Sequence, residues 1–213
     1  MRNITFISTV HEEMGKCNAD ELCAILENVR PEVIFLEALE STYSNYDGEL
    51  FSKFGVYHKK LEIKAIQKYS QDNTLEYVPV LDTGLNDSFE KKYDLVCKNI
   101  KFQRMLDEYN SLASEQGFHF LNSEKSTQLQ DEMRKLENLL IEDKLIKAFD
   151  ENIDAYENSM MRNIYSYCRN NQFDKAVFLC GVAHRSSIIE KIESFNKQEE
   201  IVLNWVIYGD QSI

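Results

Sequence analysis

The sequence predicts an α/β fold, a mainly parallel central sheet flanked by helices, with a helical insertion between the third and fourth strands. Three observations carry that expectation. Short apolar runs rich in β-branched residues alternate with segments whose apolar residues recur every three or four positions, the patterns of strand and amphipathic helix in turn. One run, Ala176 to Cys180, is continuously apolar, as in a parallel strand buried on both faces. Residues from about 87 to 170 are charged and helix-forming, with Leu136, Leu139, Leu140, Leu145 and Ile146 at helical spacing.

Taken in order, Ile4 to Val10 reads as the first strand. Asn18-Ala19-Asp20-Glu21 then offers a helix N-cap with an acid three places later. Leu22, Cys23, Ile25, Leu26 and Val29 would bury one face of that helix until Arg30-Pro31 stops it, and Val33 to Leu36 begins a second strand. A tyrosine-rich polar stretch with Gly48 and Gly55 follows. Leu61 to Tyr69 then looks helical and Leu75 to Leu81 forms a third strand. About three helices fit the charged middle. Ala176 to Cys180 is the fourth strand, Arg185 to Phe195 a helix, and Ile201 to Tyr208 a last strand. With two prolines and no low-complexity tract, the 213 residues read as a single domain.

Composition narrows the partners. Thirty-six acidic against 24 basic residues give a net charge of -12, a field that repels phosphate backbones. Lys59-Lys60 and Lys91-Lys92 are the tightest basic pairs and read as solvated helix faces, so no nucleic-acid partner is expected. No stretch approaches the roughly 20 apolar residues that cross a bilayer, and charged residues arrive before a signal-peptide core forms. A cytoplasmic protein without a membrane partner follows. The five cysteines are scattered, with no CxxC pair, and are expected to be reduced.

In open α/β sheets ligands bind beyond the carboxyl ends of the strands. The residues at those ends are His11, Glu37, Asp82 and, after Gly181-Val182-Ala183, His184. Each can ligate a metal or move a proton. His11 and His184 share a context, an apolar run closing in FISTVHEEM and LCGVAHRSS, with Gly181 placed to let the chain turn at a ligand site. His58 and His119 lack that context and read as residues of exposed loops or helix ends. Two imidazoles and a carboxylate, His11, His184 and Glu37, suit zinc, manganese or cobalt with positions open for water. Such a metal would acidify the water and polarise a carbonyl. The same groups without metal form a general base oriented by a carboxylate. Glu12 and Glu13 read as solvated.

STVH at 8 to 11 and GVAH at 181 to 184 resemble the two GxxH motifs of the TraB/PrgY and Tiki group, a superfamily that also embraces erythromycin esterase-like and ChaN-like proteins. RPEVIFLE at 30 to 37 resembles that group's "RPD, apolar strand, E" segment, whose glutamate is a proposed active-site residue. Leu61-Glu62-Ile63-Lys64-Ala65-Ile66 is similar to a helix that makes Glu62 a further site candidate; without the resemblance, Glu62 is a helix N-terminal acid favoured by the macrodipole. Val80-Leu81-Asp82 falls where the group has a strand ending in Asp-Arg. Met161-Arg162-Asn163 resembles its arginine-asparagine helix, which implies that Arg162 faces the site; otherwise Arg162 reads as an exposed arginine paired with a nearby acid. Two positions depart from the pattern. Ser8 replaces a glycine, and Thr83 stands where an arginine is usual, which leaves Arg162 to supply positive charge.

The resemblance implies a metal-dependent hydrolase, metalloprotease-like in its peptide-bond substrates, with His11, Glu37 and His184 as ligands or acid/base groups, Asp82 beside them and Arg162 stabilising developing negative charge. Small molecules or peptides are the expected substrates, and a homodimer is compatible with the sequence. Two alternatives stand beside it: a metal-free esterase-like hydrolase with His11 as general base, and a non-catalytic haem- or small-ligand-binding regulatory protein. The metal reading requires His11, Glu37 and His184 to converge within a few ångströms, and both hydrolase readings require that the two histidines not point to opposite faces of the sheet.

Overall fold

A computed structural model describes residues 2–39, 57–84 and 87–210. The tyrosine-rich stretch with Gly48 and Gly55 lies outside them. Strand β1 (Asn3–Thr9) leads to α1 (Ala19–Val29), β2 (Val33–Leu39), α2 (Leu61–Tyr69) and β3 (Glu76–Leu81). The helices α3 (Asp87–Val96), α4 (Ile100–Gln116), α5 (Phe118–Leu121), α6 (Glu124–Leu140) and α7 (Asp143–Asn170) come next. β4 (Lys175–Gly181), a 3-10 turn (Val182–His184), α8 (Arg185–Gln198) and β5 (Asn204–Ile207) complete the order.

At α1 the Asn18 cap and the Arg30-Pro31 stop act as the sequence suggested, while the Glu21 carboxylate turns away from the cap. Asn18 caps α1 by accepting from the Asp20 and Glu21 N–H groups, each at 3.0 Å. Arg30 ends that helix in the left-handed conformation (φ 56) just before Pro31. Gly117, at φ 62, separates α4 from α5, and the Glu21 carboxylate there accepts the Phe118 N–H at 3.1 Å.

The sheet has five strands in the order β3-β2-β4-β1-β5, every pair parallel. Its side chains alternate between two layers, as the pleat requires. Ile7, Ile34, Leu36, Val177 and Leu179 pack with α1, α2 and α4–α6. Ile4, Phe6, Val33, Phe35, Phe178 and Cys180 pack with the second half of α7 and with α8. All five carboxyl ends share one edge. β4 enters between β2 and β1, with Thr9 opposite Gly181, so the ends of the three strands that carry Glu37, His184 and His11 are neighbours.

Several boundaries differ from the sequence expectation. β2 runs past Glu37 to Leu39 through a register shift after Leu36, so Glu37 lies within the strand. β5 is shorter than expected: Ile201 to Leu203 precede the strand, and the Leu203 backbone is instead bonded by the Asn196 side chain. The charged middle holds five helices rather than about three. Lys92 is no solvated residue: it is buried, 2.7 Å from Glu137 and over the Phe149 ring. Among the described residues no helix is long and apolar enough to cross a membrane.

Candidate active site

His11 stands two residues beyond β1, 54% exposed, with Nδ1 3.0 Å from Oε1 of Glu62. Glu62 is the second residue of α2 and only 5% exposed. The same oxygen accepts the Thr9 hydroxyl at 2.8 Å. A carboxylate only accepts, so Nδ1 carries the proton and the Nε2 lone pair is left for other work. That hydrogen bond raises the His11 pKa above 6.5; burial opposes it, and the charges of Glu62 and Glu37 reinforce it.

Glu37, 8% exposed, is held from several sides. One oxygen accepts the Gly181 N–H at 2.7 Å and lies 3.3 Å from the Cys180 thiol; the other accepts the Tyr156 hydroxyl at 2.7 Å. Burial pushes this carboxyl up, yet the His184 imidazole and these donors together hold it below its usual value. The Tyr156 phenol is pushed far up by burial and by Glu37, and stays protonated.

His184 is buried in the turn after β4, its ring stacked on that of Tyr156. Nδ1 lies 2.8 Å from Oε1 of Glu157, a carboxylate nearly sealed from solvent whose other oxygen accepts the Ser187 hydroxyl. Nε2 lies 3.5 Å from Oε1 of Glu37. Burial lowers the His184 pKa, but the bond to Glu157 and the two carboxylate charges outweigh it and raise the value.

The two imidazoles lean on different helices, His11 on α2 and His184 on α7, with Glu37 between them. Among the described residues no group of three or more His, Cys, Asp or Glu side chains could hold an ion together. The nearest approach to one is the His184–Glu37 pair at 3.5 Å, close to the roughly 3.4 Å between two ligands about 2.1 Å from a tetrahedral metal, with Glu157 behind the histidine.

His11, Glu37, Lys60, Glu62 and Tyr156 line a common cavity of about 220 Å³ at the strand ends. An adjoining cavity shares Gly84 and Tyr156 with it and holds Asp82, Thr83 and Arg162. Arg162 is 59% exposed and 3.8 Å from Asp82, while Asn163 bonds the same carboxylate at 2.8 Å. Arg162 thus borders the His11 cavity without lining it.

Gly181 has an unexpected reason for being glycine. Its φ of -55 suits any residue, so no turn demands it. An added Cβ would lie 3.3 Å from Glu37 Oε2, and the absence of a side chain lets the carboxylate approach the backbone N–H. Glu13 is exposed, as expected, and also accepts the Ala19 N–H at the start of α1 and pairs with Lys64 at 2.7 Å.

Sequence reasoning missed Tyr156, Glu157 and Arg185. A signal existed: Glu157 falls in register with Met160, Met161, Ile164 and Cys168 on the apolar stripe of α7, and Arg185 with Ile188 and Ile192 on that of α8. A charge on an apolar stripe requires a buried partner. Comparison with known proteins finds no family model, no curated protein and no solved structure that matches this chain.

Proposed function

We propose that the chain is a hydrolase of small ester or peptide substrates in which His11, oriented by Glu62, is the general base. One observation carries the reading: an imidazole whose Nδ1 is held at 3.0 Å by a buried carboxylate, and whose ring remains 54% exposed on a cavity. Nε2 takes a proton from water as the water oxygen bonds the acyl carbon. Negative charge then grows on the carbonyl oxygen, and Lys60 lines the same cavity with the positive charge to meet it. When the tetrahedral species collapses, the His11 imidazolium returns its proton to the leaving oxygen or nitrogen. The resemblance of STVH and GVAH to the TraB and Tiki motifs belongs to the same proposal, as does a cytoplasmic setting, which the five free cysteines favour.

The test is hydrolysis of p-nitrophenyl acetate and a short-peptide series with EDTA present. Wild type should turn over, and His11→Gln should lose about 10²- to 10⁴-fold in rate. Equal rates for the two proteins reject the base.

The His184–Glu37 spacing of 3.5 Å, backed by Glu157, favours a second reading, in which those two residues hold a divalent transition metal. Such an ion would supply Lewis-acid polarisation of the carbonyl. This version predicts activity abolished by EDTA and restored by zinc, manganese or cobalt, with metal content lost in His184→Ala. Activity indifferent to chelation leaves the His11 mechanism alone.

A further inference from the structure

The two histidine motifs are joined by a residue that belongs to neither. Arg185 follows His184 directly, opens α8 and is 2% exposed. Through Nη1 it donates to the Ser8 hydroxyl at 3.3 Å and to Asn122 Oδ1 at 3.0 Å. Through Nη2 it donates to the Asn122 carbonyl at 3.0 Å, the Tyr208 carbonyl at 3.0 Å and an Asp210 carboxylate oxygen at 3.1 Å. Its guanidinium also stands 5.8 Å from the Phe6 ring centre.

Two of these acceptors, Ser8 and Asn122, are themselves anchored. Ser8, three residues before His11, donates its N–H to Asn122 Oδ1 at 2.8 Å and accepts from Asn122 Nδ2 at 3.1 Å. At Gly209 (φ +90) the chain passes so close to Asn122 that a Cβ would lie 2.1 Å from its carbonyl oxygen. The end of β1, the turn after β4, the end of α5 and the segment after β5 therefore meet on one guanidinium.

An apolar residue in register with Ile188 and Ile192 would fill this space without the desolvation cost of a buried cation. Arginine instead contributes a planar fork with fixed directions, which apolar packing does not. We propose that Arg185 is a positioning residue that locks the Ser8 and His184 strand ends together and so fixes where both imidazoles stand at the carboxyl edge. Its catalytic consequence rests on the reading of His11 as base; its geometric claim does not.

The experiment uses the full chain labelled with ¹⁵N-histidine, the four imidazole signals being assigned by single His→Gln variants, alongside p-nitrophenyl acetate kinetics. Folded Arg185→Met, checked by circular dichroism, should move the His11 and His184 signals and leave His58 in place; His119 is no control, since its helix ends at Asn122, which Arg185 bonds. Its kcat should fall about 10- to 100-fold with KM little changed, as expected when a base is misplaced by a fraction of an ångström to an ångström. Arg185→Lys should recover part of both effects. If Arg185→Met lowers the unfolding midpoint but leaves the His11 and His184 signals at their wild-type positions, the residue is only structural and the proposal falls. Should Arg185→Met not fold, Ser8→Ala, which deletes a single acceptor, decides: a shifted His11 signal supports the brace and an unmoved one overturns it. Wild type that does not hydrolyse the ester defeats the hydrolase reading on this substrate, while the imidazole signals still decide the role of Arg185.

Discussion

The chemistry at the level of single residues turns on which atom of His11 is committed. Glu62 takes Nδ1, so Nε2 works only while it is unprotonated, and the hydrogen bond that orients the ring also raises its pKa above 6.5. Hydrolysis should therefore rise with pH through that raised value. Glu62→Gln removes the negative charge, and the inflection should move down toward 6.5 while the plateau rate falls, since the base is weaker and less firmly aimed. A pH–rate profile whose inflection does not move would remove Glu62 from the mechanism. His11 was recognisable in the sequence from its place after an apolar run. Its partner was not recognisable from the same information, because Glu62 lies 51 positions away and a glutamate early in a helix has an ordinary explanation in the macrodipole.

Among the elements, α1 was the most readable, because its start and stop signals act through bonds to residues two to four positions off. Asn18→Ala should cost about 1 kcal/mol, within the range measured for lost N-caps, read as a lower urea midpoint with unchanged slope. An unchanged midpoint would mean that Glu13, which accepts the Ala19 N–H at 2.9 Å, caps the helix sufficiently by itself. Helix α7 was harder. Its apolar stripe was legible in outline, but Glu157 sits on the buried side of it and Arg162 on the exposed side. A pattern of apolar positions says which face is buried and does not say which charge on that face has found a partner. Similarly, Val33 to Leu36 was legible as a strand, while its continuation past Glu37 to Leu39 was not foreseen, since the register shift that carries it depends on pairing with β3.

For the molecule as a whole, the decisive feature is that β4 lies between β2 and β1. Phe178 sits at the middle of that strand, fully buried and stacked on Phe6 at 5.5 Å, with Trp205 at 6.4 Å. Phe178→Ala should cost about 3 to 5 kcal/mol by leaving a cavity, a large part of the 5 to 15 kcal/mol that folds a typical domain. Urea unfolding should show the loss, and Phe178→Leu should recover most of it. A loss below about 1 kcal/mol would mean that the layers around β4 collapse to fill the space.

The sequence by itself determined the α/β alternation, the approximate elements and the placing of His11, Glu37 and His184 near strand ends, because periodicity, caps and breakers act over a few residues. Only the tertiary structure decided the strand order, and with it that His11 meets Glu62 of α2, that Glu37 and Glu157 flank His184, and that Arg185 reaches back 177 positions to Ser8. Those pairings depend on which distant segments share a layer, and a carboxylate or a guanidinium carries no local mark of the partner that will make its burial tolerable.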